Sequence, residues 1–161
     1  MFLFFSFFDN IILVKKMAEK IDEIINNVKK EISIVNEVSG LCYYAANNIY
    51  CDLRKNNIKA EVYDIKEIID IDYSHYFVLA YENENNYLID VTYSQFVKTT
   101  ERPRFFKKWP GEILENNNKE LLKNLLKYGY AKINNNDLYD YLKSFSINFI
   151  PIFTLKDLKE R

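Results

Sequence analysis

The chain has 161 residues, 48% hydrophobic and 28% charged, with 22 Lys plus Arg against 23 Asp plus Glu. That is one domain's worth of chain, able to bury roughly 70% of its unfolded surface, and its apolar share argues against disorder. A net charge of −1 offers no basic field for nucleic acid, two Cys and one His cannot close a four-ligand Cys/His zinc site, and 3 Gly leave no glycine-rich phosphate loop.

Residues 2–8 read FLFFSFF, followed by Asp9-Asn10, Ile11-Ile12-Leu13-Val14 and Lys15-Lys16. A membrane span needs ~20 apolar residues, so this run is too short and carries an aspartate inside it. A secretory signal places its positive charge first and ends in a small-residue cleavage site. Here the lysines come after the apolar run, and no such site follows. Met17 begins MAEKIDEIINNV in the manner of a protein start, so residues 1–16 read as an upstream extension and 17–161 as the domain. Two other readings compete: an extra helix packed on the body, and a short membrane-associating segment.

Ile21, Ile24, Ile25, Val28, Ile32 and Val35 form one apolar face, which predicts a helix over 17–37. Ser39-Gly40 interrupts it, and a second helix is predicted over 41–55, ending at Asn56-Asn57. Strict alternation over 58–63 predicts a strand, and residues 67–71 read as a short connector. Residues 76–81 read as a strand buried on both faces, 82–86 as a turn, and 87–91 as the return strand of an antiparallel hairpin. The stretch 94–114, with Pro103 and Pro110, reads as a long loop of the kind that often carries function. Helices are predicted over 117–128, closed by Gly129, and over 136–146, with a further strand near 149–153. The fold class is α+β.

One constellation carries chemistry. Cys42 falls two residues after Gly40, at the predicted head of the second helix. Roughly half a unit of positive charge there favours thiolate, and the free N–H groups of the first turn suit an oxyanion. The only histidine, His75, heads one hairpin strand, and Asp90 lies on the other. A register centred near 83–84 sets His75 opposite about residue 92, within one or two positions of Asp90. The carboxylate would then accept Nδ1–H and Nε2 would face the thiol, giving nucleophile, base and orienter.

Gly40-Leu41-Cys42, His75-Tyr76-Phe77-Val78 and Leu88-Ile89-Asp90-Val91-Thr92-Tyr93-Ser94-Gln95-Phe96 together resemble the papain-like/transglutaminase-like cysteine hydrolase superfamily. In that core a Cys heads a helix packed on a small antiparallel sheet, and His and Asp follow on successive strands. The closer resemblance is to bacterial papain-fold deamidase toxins and effectors, of the Pasteurella mitogenic toxin catalytic domain type, which carry a similar Asp-x-Thr-aromatic-x-Gln run. It covers about residues 39–97 and departs at Val91, where that family usually has Pro. The resemblance implies hydrolysis of a glutamine side-chain amide, or of a peptide bond, through a thioester. It implies a protein substrate and no metal or organic cofactor. A toxin or effector role rests on it alone. The skew towards Asn, Ile, Lys, Tyr and Phe reads as an A/T-rich, bacterial genome signature.

Each residue has an ordinary reading beside this one. A lone Cys is commonly buried, a lone His hydrogen-bonded, and an Asp at a strand end a turn former. Cys51 lies nine positions after Cys42, about 180° around the helix, and reads as a packing residue that cannot reach Cys42 for a disulfide. Gln95 is a candidate second oxyanion donor, as is Asn36, which stands where papain-type proteases carry an oxyanion glutamine. A surface amide is the competing reading for both. Trp109 reads either as core or as one wall of a substrate cleft, beside a basic patch of Arg102, Arg104, Lys107 and Lys108.

Two function classes follow. One is a thiol hydrolase, a glutamine deamidase with protease and transglutaminase as sub-options. The other is a non-catalytic partner-binding domain of the same fold. The lack of a Sec signal and of a disulfide framework suits a reducing cytosol, the producer's or a host's. Oligomeric state is not legible.

Overall fold

The apolar stripe of Ile21, Ile24, Ile25, Val28 and Ile32 is buried along one side of the first helix, α1 (Phe2–Ser33). The structure, a computed structural model, describes residues 2–33, 40–98 and 108–160. The helix predicted to begin at 17 instead begins at Phe2, so the apolar N-terminal run and the domain's first helix are continuous. Phe7, Phe8, Ile11 and Ile12 on that run are exposed, and among the side chains described the buried stripe begins at Ile21. No helix among the described residues is long and apolar enough to cross a membrane. Val35, Asn36, Arg102, Arg104 and Lys107 lie outside the described residues.

The second helix, α2 (Cys42–Lys55), matches its prediction to within a residue. It buries Ala45, Ala46, Ile49 and Leu53. A four-stranded antiparallel sheet follows, in the order β1 (Lys59–Asp64), β2 (Tyr76–Glu82), β3 (Asn85–Ile89) and β4 (Tyr130–Ile133). The β2–β3 hairpin is tighter than predicted. Its loop is Asn83-Glu84, with Asn83 at φ 53, and Glu82, Asn85 and Asn86 belong to the strands. The pairing Val78↔Ile89 sums to the same centre, between 83 and 84, as the expected register.

Alternation along β2 splits the core. Val78 and Ala80 meet α1 and α2 on one face of the sheet. Phe77, Leu79 and Tyr81 meet a second apolar cluster on the other. That second cluster is supplied by α3 (Pro110–Asn117), α4 (Lys119–Tyr128), α5 (Asn135–Phe145) and α6 (Leu155–Lys159). The sheet is therefore covered on both faces, and β2 is buried on both sides as its sequence suggested.

The C-terminal half departs most from expectation. The loop predicted over 94–114 contains a 3-10 turn at Tyr93–Phe96 and the start of α3, whose first residue is Pro110. Proline suits that position because its missing N–H has no helical acceptor there. The helix predicted over 117–128 starts instead at Lys119, because Asn118 both ends α3 and caps α4, accepting from the N–H of Leu121 at 3.1 Å. Gly129 closes α4 in the left-handed region at φ 80, as predicted. The chain passes straight into β4, which the sequence reading did not anticipate. The strand expected near 149–153 is absent. The segment is irregular, leaves Ile150 and Ile152 exposed, and leads into α6 through a Thr154/Asp157 capping box.

Candidate active site

Gly40 takes φ 83 and turns the chain into α2. Leu41 occupies the N-cap position without a capping side chain, so among the described residues no N-cap side chain occupies the first-turn N–H groups. Cys42 is the first helical residue and is half-buried. Tyr43 and Tyr44 beside it are exposed, and the Tyr43 ring meets Tyr76 edge-on at 5.0 Å.

His75 comes from the other layer. It precedes β2 on the face shared with Phe77, and only 1% of it is exposed. Its ring lies edge-on to Phe96 at 4.6 Å and stacks on Phe145 at 5.6 Å. Its backbone N–H donates to Asp64 Oδ1 at 3.2 Å, and its carbonyl accepts from the N–H of Ile65 at 2.8 Å. The end of β1 thus fixes the main chain at the histidine.

Asp90 is the first residue after β3 and is 3% exposed. Its Oδ1 accepts the N–H of Thr92 at 3.1 Å and the Thr92 hydroxyl at 3.2 Å. Its Oδ2 accepts from His75 Nε2 at 2.7 Å and from the Tyr141 hydroxyl at 2.7 Å. The ring nitrogen is the reverse of the expected one. Continuing the β2–β3 register sets His75 opposite Thr92, which makes Asp90 a diagonal neighbour. Diagonal neighbours on one sheet face stand ~7–8 Å apart, so the outer nitrogen Nε2 makes the reach. That leaves Nδ1 as the ring nitrogen free for Cys42; it is buried and makes no hydrogen bond among the described residues.

Electrostatics couple the three groups. Burial pushes the Cys42 thiol up, and the Asp90 charge adds to that, but the nearness of His75, the N–H of Tyr76 and the imidazolium charge outweigh both, and the net shift is downward. Burial pushes His75 down, but the charge and hydrogen bond of Asp90, aided by Cys42, raise it to about 9. Both shifts favour thiolate and imidazolium over thiol and imidazole. Cys42, Tyr76, Asp90, Val91 and Thr92 line a crevice with about 160 Å³ of empty space.

The remaining candidates sit as follows. Gln95 lies in the 3-10 turn, where its amide nitrogen donates to the carbonyl of Thr92 at 3.1 Å. Trp109 is 2% exposed at the head of α3. Lys108 is exposed. Cys51 is exposed rather than packed, because the buried stripe of α2 runs through Ala45, Ile49 and Leu53 and leaves position 51 to solvent. Among the described residues no group of three or more His, Cys, Asp and Glu converges to hold a metal.

The sequence reading missed Tyr141. Its only sequence signal is membership of the apolar stripe of α5, which says nothing about where its hydroxyl goes. Comparison with family models, with curated proteins and with solved structures gave no match.

Proposed function

We propose that the chain is a cysteine hydrolase with a papain-like/transglutaminase-like core. Cys42 is its nucleophile, His75 its base and acid, and Asp90 the group that orients His75. The observation that carries this reading is the juxtaposition of a thiol lowered below its ordinary value with an imidazole whose other nitrogen is bound at 2.7 Å to a buried carboxylate. Structural histidines and cysteines have no need of that pairing, whereas covalent acyl transfer requires it.

The substrate favoured by this reading is a glutamine side chain carried by a protein. Among the described residues the crevice beside Cys42 has no room for a water-sized sphere, whereas pockets that enclose a free small molecule run to ~300–1,000 Å³. A side chain presented by another protein needs only to bring its carboxamide to the thiolate. Sulfur attacks the carboxamide carbon, and the C–S bond forms as the C=O electrons move to oxygen, beside the first-turn N–H groups of α2. The imidazolium of His75 gives its proton to the nitrogen, the C–N bond breaks and ammonia leaves. His75 then takes a proton from water, hydroxide attacks the thioester carbon, and thiolate and glutamate are released.

The test begins without a substrate. Iodoacetamide labelling of Cys42, followed by peptide mass spectrometry from pH 5 to 10 with Cys51 as the internal reference, is expected to be fast well below pH ~8.5, the ordinary thiol value. His75→Ala is expected to remove that advantage. A Cys42 no faster than Cys51 sinks the hydrolase reading. With unfolded glutamine-rich protein as probe, ammonia release without new peptide termini identifies a deamidase. New termini identify a protease, and amine incorporation identifies a transglutaminase. Turnover is expected to fall below the thiolate limit and again above about pH 9, where the imidazolium loses the proton that the leaving nitrogen needs.

A further inference from the structure

Among the described residues, Tyr141 is the one group beyond the three proposed residues whose side chain hydrogen-bonds the oriented carboxylate from a distant element. It belongs to α5, 51 residues from Asp90 in sequence, and none of it is exposed. Its ring packs edge-on against Phe77 and Phe145, both at 5.2 Å, and a phenylalanine would serve that packing equally. Only the hydroxyl distinguishes it, and the hydroxyl donates to Asp90 Oδ2 at 2.7 Å.

The carboxylate needs that contact for a geometric reason. Both bonds from Thr92 go to Oδ1, and they come from two residues along the chain. One pinned oxygen leaves the carboxyl free to rotate. Among the described residues Oδ2 is held by His75 and by Tyr141, and His75 is the group to be oriented. We propose that Tyr141 is a positioning residue of this site: its hydroxyl fixes Oδ2 of Asp90 where that oxygen receives the Nε2–H of His75, which keeps Nδ1 turned to Cys42. The inference rests on the triad reading and adds a fourth member from the C-terminal layer. The surroundings suit it. The carbonyl of Tyr141 accepts the Ser144 hydroxyl at 2.6 Å, and that hydroxyl accepts from Tyr93 at 2.9 Å, which ties α5 to the turn after Asp90. Burial holds the Tyr141 proton in place far above neutral pH, so the phenol stays a donor throughout the working range. Among the described residues the other titratable groups that interact with His75 are Cys42 from α2 and Asp64 from β1, while Tyr93 from the 3-10 turn acts on Asp90.

The experiment is an NMR titration of the imidazole in the full chain, where His75 is the only histidine, for wild type and Tyr141→Phe. Without the phenol, Oδ2 is no longer held on the imidazole and the carboxylate supports the imidazolium less. The His75 titration is expected to move downward by roughly half a pH unit or more, with the fold retained by circular dichroism. Superimposable titrations overturn the proposal, because loss of packing alone leaves the imidazole's charge balance unchanged. Should Tyr141→Phe fail to fold, the wild type decides. The Tyr141 hydroxyl proton must appear as a slowly exchanging resonance with a nuclear Overhauser contact to the His75 Nε2 proton, and its absence overturns the proposal equally. Neither readout needs turnover, so the two readings fail separately. A shifted titration with an inert Cys42 sinks the hydrolase reading while the Tyr141 coupling stands. An unshifted titration with a reactive Cys42 sinks the Tyr141 role alone.

Discussion

His75 is buried, and burial by itself would keep it neutral; the charge of Asp90 reverses that and raises it to about 9. Asp90→Asn removes the charge but keeps the shape. The imidazole is then expected to titrate below its ordinary 6.5, and Cys42 to lose its imidazolium. Alkylation of Cys42 at pH 7 is expected to slow at least ~10-fold relative to Cys51 in the same digest. A stability effect follows in Cys42→Ser, which removes the thiolate's contribution of opposite sign. His75 then still has a folded value raised by Asp90 above its unfolded 6.5. It binds more protons folded than unfolded, so its contribution is full below pH 6.5 and is lost as pH rises through the folded value. Melting temperature in that background is expected to fall across this window, and adding Asp90→Asn is expected to flatten the curve.

Two glycines show how elements hold the site from outside. Both are left-handed, Gly40 at φ 83 before α2 and Gly129 at φ 80 after α4. Among the described residues a Cβ at Gly40 would meet nothing within 4 Å, so Gly40→Ala is expected to carry the backbone strain alone, about 1 kcal/mol. A Cβ at Gly129 would come within 2.8 Å of Val91 Cγ1, beside the residue whose N–H it holds, since its carbonyl accepts from Asp90 at 2.9 Å. Gly129→Ala is expected to cost about 2–3 kcal/mol in urea denaturation, clearly more than Gly40→Ala. It is also expected to slow Cys42 alkylation. Equal costs for the two variants contradict this reading of the α4–β4 junction.

At the scale of the molecule, the site crosses the end of the sheet. Cys42 belongs to the layer of α1 and α2, while His75, Asp90 and Tyr141 belong to the opposite layer. Their alignment therefore depends on how α2 sits on the sheet. Ile49, 1% exposed on the buried stripe of α2, is a seat for that contact. Ile49→Ala is expected to cost about 2–5 kcal/mol in urea denaturation. Under native conditions it is also expected to reduce the advantage of Cys42 over Cys51 in alkylation, since Ile49 lines the crevice that Cys42 shares with Asp90. An unchanged ratio at the lower stability would mean that the layers are aligned elsewhere.

The elements legible in the sequence are those whose signal is local. The span of α2 follows from apolar spacing between a glycine and two asparagines, and the hairpin register from alternation about a polar turn. With that register, His75 and Asp90 fall on one face at one end of the sheet, so the order Cys, His, Asp along the chain is enough to bring the three into view. The four residues of β4 are too few to show a period, and they become a strand because Leu88 and Ile89 offer them a free edge. The choice of Nε2 over Nδ1 was also out of reach, since it depends on the span between diagonal neighbours rather than on spacing along the chain. Tyr141 reads in sequence as one more apolar position. Only the packing of α5 against the far side of the sheet aims its hydroxyl at Asp90, because that contact joins elements with no local pattern in common.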